Sequence, residues 1–420
     1  MSLPIFAREH APPSTGSLFK SFWMGGFECA THRRHDGRRI DCIASTRHDE
    51  LACQDYERLH SIGIRTARDG VRWHLCEQRI GHYDWSSVLS QVRAARDTNT
   101  QVIWDLFHYG WPDDLNIFAP RFVDTFGRFA GAFARLLREE GEEAPFFAPV
   151  NEISFFAWGG GDAGFMNPYS HARGDDLKRN LVRATIAAIE AIWEVFPNAR
   201  IVHPDPIINV LPADDSPQLR EQAAFFHDIQ FWSWDMIAGR REPGLGGKME
   251  YLDILGANYY PYNQWRHPGG PGATIAPSDP RYRPVSELLY DAAQRYNRPI
   301  LLSETGIEFE ARPQWLQYIG REARIAIKRG VPLEGICWYP IVNHPGWDDD
   351  RHCLNGLWDY PNEWGHRDSF EPMEQAFLQQ IQMMGHPIGE DELYADAAQL
   401  DRAITTQGDL AEQSREKNAT

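Results

Sequence analysis

TQVIWDLFHYGWPDDLNIFAPRFVDTFGRFAGAFARLLREEGEEAPFFAPVNE, residues 100–152, holds the unit from which the fold follows. It opens on a short apolar run, TQVIWDLFHYG (100–110). It then passes into RFVDTFGRFAGAFARLLREE (121–140), where apolar residues recur three and four apart, and closes on a second short run, FFAPVNE (146–152). The 3.6-residue period marks a helix with one buried face. Short, nearly continuous apolar runs on either side of a helix mark parallel strands covered on both faces. Both runs end in polar residues: Asp105 and His108 in the first, Asn151 and Glu152 in the second. A carboxylate beside Phe, Ala, Pro and Val is costly unless it is paired, hydrogen-bonded or protonated. Glu152 is thus either a strand end in water or a half-dry carboxyl able to give up a proton near neutral pH.

The same alternation runs along most of the chain. Further apolar runs stand at 21–29, 63–71, 199–206, 252–260, 299–306 and 335–341, which makes eight. Helical patterns lie between them at 49–63, 85–97, 177–196, 216–237, 284–297 and 314–330, beside the one at 121–140. Eight strands alternating with helices predict an α/β protein with a parallel sheet covered on its outside. An open doubly wound sheet is the competitor. The count of eight, and polar residues at the C-terminal end of nearly every strand, favour a closed (β/α)8 TIM barrel, whose sites are built at those ends. No G-x-G-x-x-G follows the first strand, which argues against dinucleotide binding. Residues 1–420 read as a single barrel domain, with an N-terminal arm over about 1–18 and a polar C-terminal tail over about 386–420. Two long loops, 153–176 and 342–368, follow strand ends and are expected to be functional.

A formal charge of −17 argues against nucleic acid or an anionic membrane as a partner. No run approaches the length of a membrane-spanning helix, and no secretory signal is visible. The six cysteines lack metal-ligand spacing and read as reduced thiols, so the expected location is cytoplasmic. The oligomeric state is not legible in the sequence.

The barrel brings a set of polar residues to one face. These are Glu28 and His32 from strand 1, Arg68 and Asp69 from strand 2, Asp105 and His108 from strand 3, and Asn151 and Glu152 from strand 4. Strands 5 to 8 add His203 and Asp205, Asn258 and Tyr260, Glu304, and Trp338. Two carboxylates from opposite sides of a barrel suit glycosidic bond cleavage, in which one carboxylic acid protonates the leaving oxygen and the second attacks carbon or activates water. Such chemistry needs no cofactor and no metal. His203 and Asp205 lack a third ligand, and Asp348, Asp349 and Asp350 read as a solvated acidic loop.

These residues carry a resemblance. Pro149-Val150-Asn151-Glu152-Ile153 resembles the strand-4 signature Thr-Phe/Leu-Asn-Glu-Pro of the family 1 β-glycosidases, within the clan A retaining glycoside hydrolases. Leu302-Ser303-Glu304-Thr305-Gly306 resembles their strand-7 signature Ile/Val-Thr-Glu-Asn-Gly. DLFHYGWP (105–112), LGANYY (255–260) and ARDGVRW (67–73) are similar to the family's strand-3, strand-6 and strand-2 segments, in the right order over about residues 20–360. The resemblance implies a retaining β-glycosidase with Glu152 as acid/base and Glu304 as nucleophile, about 5–5.5 Å apart. It further implies Asn151 on the sugar 2-hydroxyl, Arg68 and Tyr260 holding Glu304, His108 on a hydroxyl and Trp338 as an apolar floor. Asn258, Trp347, Glu28 and His32 complete the expected sugar contacts, and a carbohydrate, a β-glycoside, is the expected partner. A transglycosylase, or a non-catalytic sugar-binding or scaffold protein on the same barrel, is the alternative.

Two departures stand out. Asn343-His344-Pro345-Gly346-Trp347 has Gly where the family's Asn-Phe-Glu-Trp carries its sugar-gripping Glu, and it lies one residue too far from Trp338. The family's Gln after strand 1 is missing, and either Glu28 or His32 could replace it. Sugar recognition is therefore expected to differ from that of an ordinary β-glucosidase.

Overall fold

In the computed structural model, which describes residues 18–269, 273–386, 388–389, 400–401 and 404, eight parallel strands close into a barrel. They are β1 (Trp23–Gly26), β2 (Thr66–Gly70), β3 (Gln101–Asp105), β4 (Phe146–Ala148), β5 (Arg200–Pro206), β6 (Ile254–Asn258), β7 (Ile300–Thr305) and β8 (Leu333–Trp338). Each pairs in parallel with its sequence neighbour, and β8 returns to β1 through Trp23 opposite Ile336 and Gly25 opposite Trp338. All eight apolar runs became barrel strands, and the open doubly wound alternative falls away. The expected N-terminal arm and polar tail lie almost wholly outside the described residues. No described helix is long and apolar enough to cross a membrane.

The outer layer comprises α1 (His48–Ser61), α2 (Leu89–Thr98), α3 (Pro120–Glu139), α4 (Gly174–Val195), α5 (Pro217–Ile229), α6 (Val285–Tyr296), α7 (Arg312–Lys328) and α8 (Glu371–Met383). The pattern over 216–237 breaks after Ile229, and a short second helix runs from Trp232 to Ile237. Helix α8 was not among the expected elements, since two short hairpins separate it from β8. Helices α3 and α4 approach closely because Gly127 and Gly131 face Ala187 and Ala191. A Cβ on either glycine would lie 3.1 Å from the alanine methyl. That contact explains the small residues in FGRFAGAF.

Strand residues alternate between two apolar compartments. Met24, Ile103, Phe146, Ala148, Val202, Ile254, Leu301, Cys337 and Tyr339 fill the lumen, with Phe19 packed on Phe146 in the same cluster. Ala67, Val102, Trp104, Phe147, Leu255, Ala257, Ile336 and Trp338 face the helices. This period of two is the ordinary consequence of strand geometry. It assigns Arg68 and Asp105 to the inside, and Asp69 to the outside. There Asp69 accepts from His48 Nε2 (2.9 Å), Tyr56 Oη (2.6 Å) and Gln91 Nε2 (2.9 Å).

The long loop after β8 is anchored by a buried charge. Arg367 donates through Nε and Nη2 to Asp55 of α1 (2.7 and 2.8 Å) and through Nη2 to Thr46 O (2.8 Å). Asp55 also binds His48 Nδ1 at 2.8 Å. Burial opposes protonation of His48, but Asp69 and Asp55 outweigh it and its pKa is pushed up to about 9. Asp55 would keep His48 but lose two charge-assisted hydrogen bonds, so Arg367→Met is expected to cost about 1.5–3 kcal/mol in urea unfolding. A loss below about 1 kcal/mol would place the anchor elsewhere.

Candidate active site

Two consecutive pairs, His108–Tyr109 and Asn151–Glu152, each point both side chains into the barrel mouth. A regular strand cannot do this, because neighbours face opposite sides. The second residue of each pair adopts a left-handed backbone, with φ of 67° at Tyr109 and 48° at Glu152. For non-glycine residues this costs on the order of 1–3 kcal/mol, and such strain gathers at functional sites. Glu152 is held there by its amide, which donates to Pro204 O at 2.9 Å, and by the short helix Ile153–Phe156 that starts behind it.

Glu304 reaches the lumen by a different device. Ala257 pairs with Leu302, but Asn258 pairs with Glu304, so Ser303 is an extra residue in β7. This bulge resets the alternation. Leu301 and Glu304 both face in, while Thr305 faces out and accepts from Trp315 Nε1 at 2.9 Å.

The two carboxylates belong to one hydrogen-bonded ring. Glu304 Oε1 accepts from Arg68 Nη1 (2.6 Å) and Oε2 from Tyr260 Oη (2.9 Å). Arg68 Nη2 donates to Asn151 Oδ1 (2.6 Å) and lies 2.8 Å from Asp105 Oδ2. Asn151 Nδ2 donates to Tyr109 Oη (3.0 Å), and Tyr109 Oη donates to Glu152 Oε2 (2.5 Å). Asn258 Nδ2 donates to Glu152 Oε1 (3.0 Å), and Asn258 Oδ1 accepts from Ser303 Oγ (2.6 Å), which leads back to Glu304.

The electrostatics of the two groups differ. Glu304 has a buried guanidinium against it; Glu152 has none. Burial, and then the charge of Glu304, push Glu152 up to about 8, against the opposing hydrogen bonds from Tyr109 and Asn258. Burial and the nearby carboxylates raise Tyr109 and Tyr260 well above the usual phenol range, so both remain donors. Arg68 is raised despite its burial, by Asp105 and Glu304.

The remaining expected residues distribute as follows. His108 Nδ1 donates to Asp105 Oδ2 (3.1 Å), Nε2 accepts from Asn151 Nδ2 (3.3 Å), and Glu28 Oε1 stands 3.8 Å from Nε2. Burial lowers the His108 pKa, but Asp105 and Glu28 more than offset it. His32 sits edge-on to Trp347, ring centroids 5.4 Å apart, and burial pushes its pKa down to about 4. His32 Nδ1 and Trp347 Nε1 are buried with no partner among the described residues. His203 Nε2 donates to Tyr251 O (2.7 Å), and Asp205 accepts from Ser154 and Ser233, so both serve the wall. Asp350 pairs with Arg34 at 3.0 Å and with Arg38.

Trp338 requires a correction. It faces the helices, donating to Asn355 O (2.9 Å) with its ring against Phe377, and contributes no floor. The inward residue is Tyr339, which lies under the Arg68 guanidinium (5.1 Å) and parallel to His108 (5.8 Å, 4°). Its ring fits because Gly26 lacks a Cβ, which would come within 2.1 Å of Tyr339 Cδ2. Counted from Tyr339, the extra residue before Trp347 disappears. The room beside Gly346 is taken by Asp349 and Arg351, whose nearest atoms lie 2.2 and 3.2 Å from a Cβ placed there, and Arg351 binds Glu308 through two 2.6 Å hydrogen bonds. Tyr109 was missed altogether; its signal was its place directly after His108 at a strand end.

Cys29, Asp105 and His108 present three buried atoms within 4.8 Å of one another. They suit a cation poorly. The Asp105 oxygen is already held by Arg68 and His108, and burial raises the Cys29 thiol well above its usual range.

No protein-family model and no characterised protein sequence matches the chain. Solved structures do. A β-glucosidase from Thermotoga maritima in complex with glucoimidazole superposes with a TM-score of 0.70 at 15% identity, over 86% of this chain and 99% of that one. The AHE enzyme from Alicyclobacillus herbarius gives 0.71 at 16% identity, over 87% and 99%. The Thermotoga enzyme in complex with castanospermine gives 0.69 at 15%, over 89% and 100%. At these identities the likeness is one of fold: the chain shares its (β/α)8 barrel with these structures.

Proposed function

We propose that the chain is a retaining β-glycosidase acting by double displacement on a β-glycoside. The observation that carries this reading is the contrast between two carboxylates in one ring of hydrogen bonds. Glu304 is bound by a cation and a phenol, while Glu152 is pushed up to about 8 by burial and by Glu304 itself. A carboxyl group pushed up in this way is held protonated to serve as the acid, and one bound by a cation and a phenol is oriented to serve as the nucleophile. Glu304 attacks the anomeric carbon as Glu152 gives its proton to the leaving oxygen. The glycosyl ester removes the charge on Glu304, the pKa of Glu152 falls, and Glu152 then takes a proton from the attacking water. Asn151 serves the sugar 2-hydroxyl by exchanging its longest contact, 3.3 Å to His108. His32 Nδ1 and Trp347 Nε1 are free to grip hydroxyls further along the ring.

The test is covalent labelling. Incubation with 2-deoxy-2-fluoro glycosyl fluorides of the gluco, galacto and manno series should add one glycosyl mass, mapped to Glu304. Turnover followed by NMR should release the sugar with its anomeric configuration retained. An inverted product, or a label on another residue, would refute the assignment.

A pH dependence follows. Glu152 must enter the first step protonated, so kcat/KM should fall on the alkaline side near pH 8. The Tyr109 hydrogen bond favours the ionised form and lowers that pKa. Tyr109→Phe should therefore move the alkaline limb upward, and Glu152→Gln should abolish it. A limb unmoved by both changes would belong to another group.

A further inference from the structure

Glu152 stands on a turn that its own strand does not explain. Strand β4 ends at Ala148, and Glu152 takes its left-handed φ of 48° beyond that end. Glu304, by contrast, lies within β7 and is paired with Asn258 of β6. What holds Glu152 comes from the next strand. Pro204 O accepts the Glu152 amide at 2.9 Å, and the following residue, Asp205, accepts from Ser154 N (3.0 Å) and Ser154 Oγ (2.8 Å). Two consecutive residues of β5 thus grip the chain at Glu152 and two residues beyond it. Asp205 does so from outside the lumen. Val202 faces in, so strand alternation turns Asp205 toward the helices, where it is buried and also accepts from Ser233 Oγ. Ser233 lies in the short helix Trp232–Ile237, which Trp234 ties back to β5 through Nε1 on His203 O (3.1 Å). Burial pushes the Asp205 pKa up to about 6, against those hydrogen bonds and the charge of Lys178 on α4, so the group is a carboxylate at neutral pH.

We propose that Asp205 is a positioning residue for proton delivery: it fixes the turn that carries Glu152 and touches no part of the substrate. The proposal deepens the β-glycosidase reading and rests on it. A left-handed backbone at a non-glycine residue relaxes unless its surroundings over-determine it. Without Asp205, Ser154 N and Oγ lose their acceptor, and the grip of β5 on the turn shrinks to Pro204 O. A shift of about 1 Å at Glu152 would cost on the order of 10²-fold in rate. That loss has a signature. A phenol needs the proton as it departs, whereas a strongly acidic nitrophenol leaves as its anion without one. A displaced Glu152 therefore penalises the poor leaving group and spares the good one. Weaker sugar binding, or loss of folded protein, penalises both alike.

The test compares kcat/KM of the intact wild type, Asp205→Ala and Asp205→Asn on phenyl and 2,4-dinitrophenyl β-glycosides of the gluco, galacto and manno series. This quantity reports the first displacement, so the later water-activating role of Glu152 does not enter it. For the accepted sugar, Asp205→Ala should lower the phenyl value by about 10²-fold and the dinitrophenyl value by less than about three-fold. Asp205→Asn keeps an acceptor for Ser154 N and should show the same pattern, with a phenyl loss of about ten-fold. If Asp205→Ala does not fold, the Asp205→Asn comparison decides alone. Equal losses on the two substrates, or phenyl values within about three-fold of the wild type, would overturn the proposal. The fluoride labelling of Glu304 reports separately on the catalytic reading. A wild type that labels there, with variants that lose both substrates equally, removes only this proposal. A wild type that neither labels nor turns over any of these glycosides removes the catalytic reading, and this proposal with it.

Discussion

Glu304→Gly is expected to lower kcat/KM on every glycoside accepted by the wild type by on the order of 10⁴-fold or more, since in the proposed mechanism Glu304 supplies the attacking oxygen. The barrel should survive the change. Arg68 keeps Asp105 at 2.8 Å and Asn151 at 2.6 Å, so the guanidinium is not stranded. In the proposed mechanism the vacated space lies on the face from which Glu304 attacks. A small anion such as azide, given an activated aryl glycoside, should occupy it and displace the leaving group in a single step. The product is then the α-glycosyl azide, opposite to the wild-type outcome and readable by NMR. Activity within ten-fold of the wild type would remove Glu304 from the mechanism. An azide product of β configuration would assign the attack to another residue.

Arg68→Met should damage both stability and turnover. Arg68 is fully buried and serves four acceptors: Glu304, Ser303 O at 3.1 Å, Asn151 and Asp105. Its loss leaves two carboxylates in the lumen without a cation, at a cost of about 3–5 kcal/mol in urea unfolding. Glu304, the proposed nucleophile, also loses the group that orients it, and a preorganised charge of this kind contributes about 10²–10³-fold to kcat. Arg68→Lys separates the two effects. An ammonium keeps the charge but cannot bridge Glu304 and Asn151 with planar, fixed geometry. It should recover part of the stability and little of the activity. If Arg68→Met unfolds within about 1 kcal/mol of the wild type, the ring of hydrogen bonds does not depend on this cation.

Much of this was legible in the sequence, for identifiable reasons. Runs such as TQVIWDLFHYG and FFAPVNE are apolar throughout because barrel strands are covered on both faces, so they stand out without knowledge of their partners. The helical stripes between them are equally local. Glu152 and Glu304 were visible because each sits at the polar end of such a run. Helix α8 was not, since two hairpins separate it from the alternation that marks the others.

Orientation was the harder matter. Trp338 and Tyr339 are adjacent aromatic residues at a strand end, and composition cannot tell which one enters the lumen. The alternation from Cys337, inside, through Trp338, outside, decides it. Glu304 is the opposite case: simple alternation from Leu301 would turn it toward the helices, and the bulge at Ser303 brings it back. Tyr109 and Glu152 enter the site only through left-handed backbones, imposed by the loops and strands around them.

The sequence by itself determined the eight strands, their parallel order and the two carboxylates that end strands 4 and 7. Period and polarity are properties of short segments, and any chain with these segments must bury them in much the same way. Only the tertiary structure decided which side chains meet: Arg68 with Glu304, Tyr109 with Glu152, and Tyr339 in place of Trp338. Those contacts depend on register, bulges and positive φ angles. Each is fixed by neighbours distant in the chain, and one residue of slip sends a side chain to the other face.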